Sequence, residues 1–307
     1  MQKQHQIPVE VAVTIEDLME QAEYVDAVNF SSKQPQRSAL FGRHRSLIHG
    51  RGLDFDQVRK YVRGDDVRYI DWKVTARTQK THLKQYTEER ERPVLLVVNQ
   101  SSSMFFGTAK NMKSVVAAKL AAIVAHHIVK EKDRLGAIIF NDEEAKLIRP
   151  KGGQKNLVQI MQKLTEVNQS LVYQTYMADN KTVLTNTMTA LHQLKPVNHL
   201  IVFISDFLHY LPEVKSALAS VSRHNDVVLF KVNDPMEFTM ADEKWVLSQQ
   251  ELQLLYDGTK ERLNKGYAED TVERYQSFSD QMLKHGIPVL KFDTITPVQH
   301  QLSDYFK

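Results

Sequence analysis

Short apolar segments alternate with longer amphipathic segments from residue 93 onwards. Six apolar segments predict β-strands, at residues 94–98, 135–140, 145–148, 200–204, 227–232 and 289–292. Helical periodicity predicts helices at residues 110–130, 154–164, 180–194, 212–222 and 267–285. Four strand segments are continuous apolar runs, as expected for strands covered on both faces by helices. The pattern predicts an α/β protein with a doubly wound, mostly parallel six-stranded sheet and one antiparallel edge strand at residues 145–148.

A change of pattern near residue 92 predicts two domains. Residues 1–92 combine a predicted helix at 14–27 with an Arg- and Asp-rich module of loops and short strands. Residues 93–307 hold the sheet, and the stretch 233–266 is too long for an ordinary connection, so it is predicted to be an insertion with local structure.

Composition narrows the functional classes. The 307 residues include no Cys, which excludes disulfide scaffolds, thiol nucleophiles and Cys-based zinc sites. No apolar run approaches the roughly 18 to 20 residues that a membrane span needs, and the first ten residues lack the pattern of a secretory signal. The expectation is a protein without a membrane span, located in the cytoplasm.

Polar side chains follow two of the predicted strands. Asn99, Ser101 and Ser103 come after the first strand, and Asp206 comes after the fourth. In an open α/β sheet, ligands bind beyond the carboxyl ends of strands, near the point where the strand order reverses. Hydroxyl and carboxylate oxygens that meet there form the kind of site that Mg²⁺ or Ca²⁺ prefers.

This arrangement resembles the metal-ion-dependent adhesion site of von Willebrand factor A domains, whose pattern is Asp-x-Ser-x-Ser with a distant Thr and a distant Asp. The resemblance assigns metal-ligand roles to Ser101, Ser103 and Asp206, and to Thr182, with Thr185 as the alternative threonine. Asn99 stands where the pattern has Asp, and losing one carboxylate weakens the attraction for a divalent ion. Two alternatives stay open: a weak Mg²⁺ site to which Asn99 contributes, or a turn kept for structural reasons.

A dense motif between residues 50 and 77 indicates a family. It contains Gly50-Arg51-Gly52-Leu53-Asp54-Phe55, then Gly64-Asp65-Asp66-Val67-Arg68-Tyr69-Ile70-Asp71-Trp72-Lys73, then Ala76-Arg77. This block resembles the signature of a bacterial family labelled domain of unknown function fifty-eight, in which it precedes a von Willebrand A-like domain. Asp133-Arg134-Leu135-Gly136 and Ser205-Asp206-Phe207 extend the resemblance. It implies a non-enzymatic adaptor that acts with a MoxR-type AAA+ ATPase to mature or activate a client complex. The expected route is the modified metal-ion-dependent adhesion site, where an open coordination position of a bound ion accepts a carboxylate from the partner.

The charged residues of this block allow three interpretations. Residues 37–92 carry 14 basic and 8 acidic side chains, a local net charge of +6. The arginines either pair with aspartates of the same module, or bind an acidic protein partner, or bind nucleic acid or another polyanion. Trp72 is either an exposed anchor or part of a small core. The candidate partner-binding residues are Arg51, Arg59, Arg68, Asp71, Trp72 and Arg77.

Overall fold

In the computed structural model the chain forms two compact units. The sheet unit comprises Met1–Lys33 and Arg92–Lys307, and the small unit comprises Gln34–Glu91. The structure describes residues 7–28, 45–46, 53–89, 93–173, 187–191, 193–207, 212–238, 243–249, 252–257, 259 and 261–306.

A six-stranded sheet forms the centre of the sheet unit. Its strands are β4 (Val94–Asn99), β5 (Leu135–Phe140), β6 (Ala145–Lys151), β7 (Leu200–Ser205), β8 (Asp226–Asn233) and β11 (Val289–Asp293). Their order is β11-β8-β7-β4-β5-β6. All neighbours pair in parallel except β5 and β6, which are antiparallel. This confirms the mixed α/β class, the mostly parallel sheet of six strands and the antiparallel edge strand.

Helices cover both faces of the sheet, which explains why β4, β5 and β7 are buried along their whole length. Leu95 and Val97 pack in a core cluster with Leu218 and Phe278, which lie on helices. Successive side chains of a strand point to opposite faces, so Leu96 faces the other side. Six α-helices of this unit lie wholly within the described residues: α1 (Ile15–Glu20), α3 (Lys113–Lys130), α4 (Gln154–Ser170), α5 (Pro212–Val221), α6 (Glu261–Lys284) and α7 (Val298–Phe306).

Helix bounds differ from the prediction mainly where polar residues continue a helix. α4 runs to Ser170, six residues beyond the predicted end, and α6 begins at Glu261 instead of residue 267. Both extensions are rich in polar side chains, so apolar periodicity does not mark them. Of the helix predicted at 180–194, residues 187–191 and 193–194 are helical, and residues 180–186 lie outside the described residues. The predicted insertion contains an antiparallel hairpin of β9 (Lys244–Gln249) and β10 (Leu252–Asp257).

The first described segment, residues 7–28, packs on the sheet unit. The Val13 N–H donates to Asn168 Oδ1 at 2.8 Å, and the backbone carbonyl of Leu18 contacts His126 Nε2 at 3.1 Å. α1 begins with a capping box, in which Thr14 and Asp17 exchange hydrogen bonds with each other's backbone N–H. The segment therefore groups with the sheet, whereas the division expected from the sequence placed it before the boundary at residue 92.

The small unit is built on a three-stranded antiparallel sheet. Its strands are β1 (Arg45–Ser46), β2 (Leu53–Lys60) and β3 (His82–Glu89), in the order β1-β3-β2. One short helix, α2 (Trp72–Thr78), precedes β3, and Asp71 caps it by accepting from the Lys73 and Val74 N–H groups. The Asp71 N–H in turn donates to the His82 carbonyl at 2.8 Å, which fixes the start of α2 against β3.

Candidate functional site

The strand order reverses between β4 and β7. The chain passes from β4 to β5 on one side, and later returns to place β7 on the other side. The loops that follow β4 and β7 therefore diverge at the carboxyl edge of the sheet, which is where open α/β proteins bind their ligands. The polar residues predicted from the sequence lie at this point.

A tight polar turn follows β4. The side chain of Asn99 is buried, with Oδ1 accepting from the Ser101 N–H at 2.9 Å and Nδ2 donating to Ser205 Oγ at 3.0 Å. The Ser101 and Ser103 hydroxyls are 3.2 Å apart, and the Ser102 N–H donates to Asp142 Oδ2 at 2.8 Å. Each group that shapes the turn thus has a hydrogen-bond partner within the fold.

Asp206 lies at the end of β7 and is 2% exposed. Burial by itself raises the pKa of a carboxyl group, but attraction to Lys113, together with hydrogen bonds from Lys113 and Ser103, holds the pKa of Asp206 below its usual value. Asp206 is therefore a buried anion with a cation beside it.

That cation is the ammonium of Lys113, the first residue of α3, whose side chain is 1% exposed. Its Nζ lies 2.9 Å from Asp206 Oδ2 and 2.5 Å from Glu237 Oε1. Burial lowers the pKa of a lysine, yet the two carboxylates outweigh it and raise the pKa of Lys113. Lys113 stays charged and joins the loop after β7 to the loop after β8.

A second lysine completes the charge balance. Lys231, on β8, is also buried, and its Nζ donates to the backbone carbonyl of Asp206 at 2.6 Å. Glu237 is further held by Asn233 Nδ2, which donates to Oε2 at 2.8 Å. The ionic cluster, defined here as Lys113, Lys231, Asp206 and Glu237, thus combines two cations with two anions.

Asp234, which is fully buried, pins three segments together beside the ionic cluster. It accepts from the N–H and the hydroxyl of Thr108, from the Thr294 hydroxyl at 2.8 Å and from the Met236 N–H at 3.0 Å. These hydrogen bonds hold the pKa of Asp234 below its usual value in spite of burial. They tie the segment before α3 to the ends of β8 and β11.

The structure brings together four of the predicted metal-site residues: Asn99, Ser101, Ser103 and Asp206. The connection runs from Asn99 through Ser205, whose Oγ lies 3.5 Å from Asp206 Oδ1. Thr182 and Thr185 lie outside the described residues. The four residues lie close together at the carboxyl edge of the sheet, as expected from their positions after two strands. Their role as metal ligands stays a prediction.

The donor set does not fit a divalent ion well. Asp206 Oδ2 already contacts the Lys113 ammonium, and the charges of Asp206 and Glu237 are balanced by two buried lysines. A divalent ion about 4 Å from one ammonium would meet a repulsion of about 8 kcal/mol at an effective dielectric constant of about 20. Within the described residues, no group of three or more His, Cys, Asp or Glu is placed to hold a metal.

Sequence reasoning missed Lys113, Lys231 and Glu237. Lys231 did carry a signal, because a lysine within the apolar strand Asp226–Asn233 needs a buried anion as partner. Lys113 carried none, since a lysine in the first turn of a predicted helix is ordinarily solvated. Its burial follows from α3 packing across the sheet, which is a tertiary effect.

Lys231 leads to a prediction about pH. Burial lowers its pKa from an ordinary value of 10.5 to about 8, although Glu237 and Asp206 act in the opposite direction and Lys113 and Lys291 add to the lowering. Between these two values the unfolded chain binds this proton and the folded chain does not, so the contribution of Lys231 to stability rises with pH across the window. We expect the rise to reach at most about 3 kcal/mol.

Urea unfolding at about pH 7.5, 9 and 10 measures this contribution. Lys231→Met should lack the rise, whereas Lys284→Met, at the exposed end of α6, should retain it. Identical pH dependence in the native chain and in Lys231→Met would show that Lys231 does not titrate in this window.

In the small unit, three of the six predicted partner-binding residues have partners within the unit. Arg59 donates to both carboxylate oxygens of Asp65, each at 2.7 Å, and Arg68 pairs with Asp66 at 2.6 Å. Asp71 is occupied as the cap of α2. Arg77 is exposed in the last turn of α2, and Arg51 lies outside the described residues. Arg59 and Arg68 thus hold loops of the small unit in place.

Trp72 differs from these residues, because it is 70% exposed. It is the first residue of α2, and the exposed side chains of Lys73, Ala76 and Arg77 follow it on the same short helix. A Trp left largely in water is unusual in a small module, and such residues often mark contact sites for other proteins. Trp72 is therefore not the core of the small unit.

The fold and the site define a class: an open α/β sheet with a polar cluster at its carboxyl edge, accompanied by a small antiparallel unit. Residues 57–274 match the family described as protein of unknown function DUF58. The chain belongs to this family, as the motif between residues 50 and 77 indicated.

The curated relatives that match this chain are described as uncharacterized proteins. An uncharacterized protein of Mycobacterium tuberculosis is 31% identical over 210 residues, which are 68% of this chain and 64% of the relative. The chain thus spans about 64% of the length of the curated relative that it matches. The structure of a conserved hypothetical protein, BatB from Bacteroides thetaiotaomicron, covers 69% of this chain and 96% of its own, with 14% identity and a TM-score of 0.39.

Another solved structure concerns the cellular location that the sequence led us to expect. It is an aerotolerance-related membrane protein from Bacteroides fragilis, with 13% identity, coverage of 69% of this chain and 96% of its own, and a TM-score of 0.42. Its description as a membrane protein contradicts the cytoplasmic location expected from the sequence, and that expectation is withdrawn. In the part of the chain that the structure describes, no helix combines the length and the apolar character needed to cross a bilayer.

Proposed function

We propose that this chain is a non-enzymatic protein-interaction adaptor with a von Willebrand A-like sheet unit. It acts with a MoxR-type AAA+ ATPase in the maturation or activation of a client complex. The parallel sheet with one antiparallel edge strand and the Asn99-x-Ser101-x-Ser103 turn support the fold assignment. The resemblance of the motif between residues 50 and 77 supports the class of partner.

An adaptor fits the site better than a hydrolase does. A hydrolase needs a base that can take a proton, but Asp206 is buried beside Lys113, and attraction to that ammonium disfavours its protonated form. The serines of the turn hydrogen-bond each other. The described residues of this site therefore hold loops in place more readily than they transfer protons.

One observation carries the proposal: the exposed Trp72 on a rigidly capped helix. Tryptophan is enriched among the residues that dominate protein interfaces, because its large ring buries much apolar area with little loss of side-chain freedom. Asp71 fixes the start of α2, so the ring is presented from an ordered backbone. The exposed Lys73 and Arg77 favour a partner with acidic side chains beside an apolar pocket.

The test is binding of the purified chain to a MoxR-type AAA+ ATPase of the same organism. Trp72→Ala should weaken binding at least about 30-fold, since truncating a central interface Trp costs about 2 kcal/mol or more. Tyr173→Ala is the matched control, because Tyr173 is an aromatic residue of the sheet unit with 74% exposure. Equal affinities for the native chain and Trp72→Ala would remove this surface from the proposal, and no binding by the native chain would remove the partner.

The second candidate function is the binding of nucleic acid or another polyanion by residues 37–92. Its support is the net charge of +6 in this segment. Against it, Arg59 and Arg68 already pair with aspartates, so fewer cations are available for phosphates. A steep fall of DNA affinity with salt concentration would favour this alternative over the adaptor.

A further inference from the structure

The carboxyl edge of the sheet has the oxygen groups of a metal site, yet its charges are already balanced. Asn99, Ser101, Ser103 and Asp206 meet there, as the resemblance to an adhesion site implies. In such a site a divalent ion attracts the carboxylate from the strand end and leaves one position for a carboxylate of the partner protein. The structure shows a different cation and a different second carboxylate.

We propose that Lys113 is the permanent cation of this site and takes the place of a divalent metal ion. Its ammonium contacts Asp206 Oδ2 at 2.9 Å and so occupies the carboxylate that the predicted ion would need. The second carboxylate comes from the chain itself, because Glu237 Oε1 lies 2.5 Å from the same ammonium. The site is thus closed by an internal ligand, and any docking at this edge proceeds without metal.

The burial of the cluster supports this reading. The side chains of Lys113 and Asp206 are 1% and 3% exposed, so the Lys113 ammonium and the Asp206 carboxylate have almost no contact with bulk water. Asn99 uses Oδ1 to hold the Ser101 N–H, which directs that oxygen into the turn. The nearby Lys231 ammonium, which binds the Asp206 carbonyl, adds a second positive charge that opposes entry of a divalent ion.

Local packing explains why the side chain of Lys113 can act as the cation beside Asp206. Lys113 begins α3, and its backbone N–H is bonded to the Phe106 carbonyl at 2.8 Å, which fixes the origin of the side chain. The Phe106 ring lies 5.7 Å from Nζ and covers one side of the ammonium. The adhesion-site pattern has Asp where this chain has Asn99, so the site carries one negative charge fewer. An ammonium carries one positive charge fewer than Mg²⁺, so the two differences offset each other.

Metal titration tests the proposal independently of the adaptor function. The native chain should give no one-site binding of Mn²⁺ or Mg²⁺ by calorimetry up to about 10 mM, and no metal-dependent shift of Tm. Asn99→Asp alone should remain silent, because Lys113 still occupies Asp206. The double variant Asn99→Asp/Lys113→Ser should bind one Mn²⁺ at least about tenfold more tightly than the native chain, and adding Asp206→Asn should abolish this binding.

Two results would overturn the proposal. One is native binding of a single Mn²⁺ that Asp206→Asn abolishes, since the metal would then share the site with Lys113. The other is a folded double variant that binds no metal, since Lys113 would then not be what excludes it. If the double variant is unfolded without metal, recovery of its circular dichroism spectrum on addition of Mn²⁺ supports the proposal, and failure to recover opposes it.

Discussion

Replacement of Lys113 by methionine is expected to lower the free energy of unfolding by about 3 to 5 kcal/mol. The substitution leaves Asp206 and Glu237 close together in a buried site without the ammonium that joins them. Breaking a buried ion pair by removing one partner is strongly destabilising, and here the two carboxylates lose their nearest counter-ion, so that Lys231 alone faces two buried negative charges. Methionine is close to lysine in volume, so a cavity adds little to this effect.

Urea unfolding of the native chain and two comparison variants measures this prediction. Lys130→Met is the matched control, because Lys130 lies on the same helix and forms an exposed ion pair with Asp26. Its expected cost is about 1 kcal/mol or less. The triple variant Lys113→Met/Asp206→Asn/Glu237→Gln removes the uncompensated charges and should recover a large part of the loss. Equal losses for Lys113→Met and Lys130→Met would contradict the buried ionic cluster.

Asp234→Ala is expected to cost about 3 kcal/mol. It removes the acceptor for two backbone N–H groups and two threonine hydroxyls, in a place that water does not reach. Each buried donor left without a partner costs about 1 to 3 kcal/mol, although small movements recover part of it. Because Asp234 joins Thr108 to Thr294, the loss should also loosen the segment before α3.

Hydrogen exchange and urea unfolding measure the two parts of this prediction. The Thr108 N–H should lose protection in Asp234→Ala, while amides in the middle of β4 lose protection only in proportion to global stability. Asp293→Ala is the comparison, because Asp293 accepts from two N–H groups at the same edge in a less buried position. That variant should cost about 1 kcal/mol. A smaller effect of Asp234→Ala than of Asp293→Ala would show that burial does not set the cost.

The strands were predictable because burial on both faces leaves a simple mark in the sequence. Leu135–Phe140 was predicted with its observed bounds, and the neighbouring strands differ from prediction by one to three residues at their ends. The turn after β4 was also predictable, since Asn99 and the serines follow an apolar run. The sequence left Trp72 open between an exposed anchor and part of a small core, because the exposure of a single ring leaves no periodic signal. The structure shows that Trp72 is 70% exposed.

The sequence by itself determined the class of fold, the position of the strand-end loops and membership of the DUF58 family. These depend on local periodicity and on contiguous motifs, which are readable without knowledge of distant contacts. Only the tertiary structure decided which cation faces Asp206. Lys113 and Asp206 are 93 residues apart, and their contact at 2.9 Å exists because α3 packs on the sheet with its first residue beside the end of β7. A buried charge is stable only beside its counter-charge, so the character of this site follows from packing.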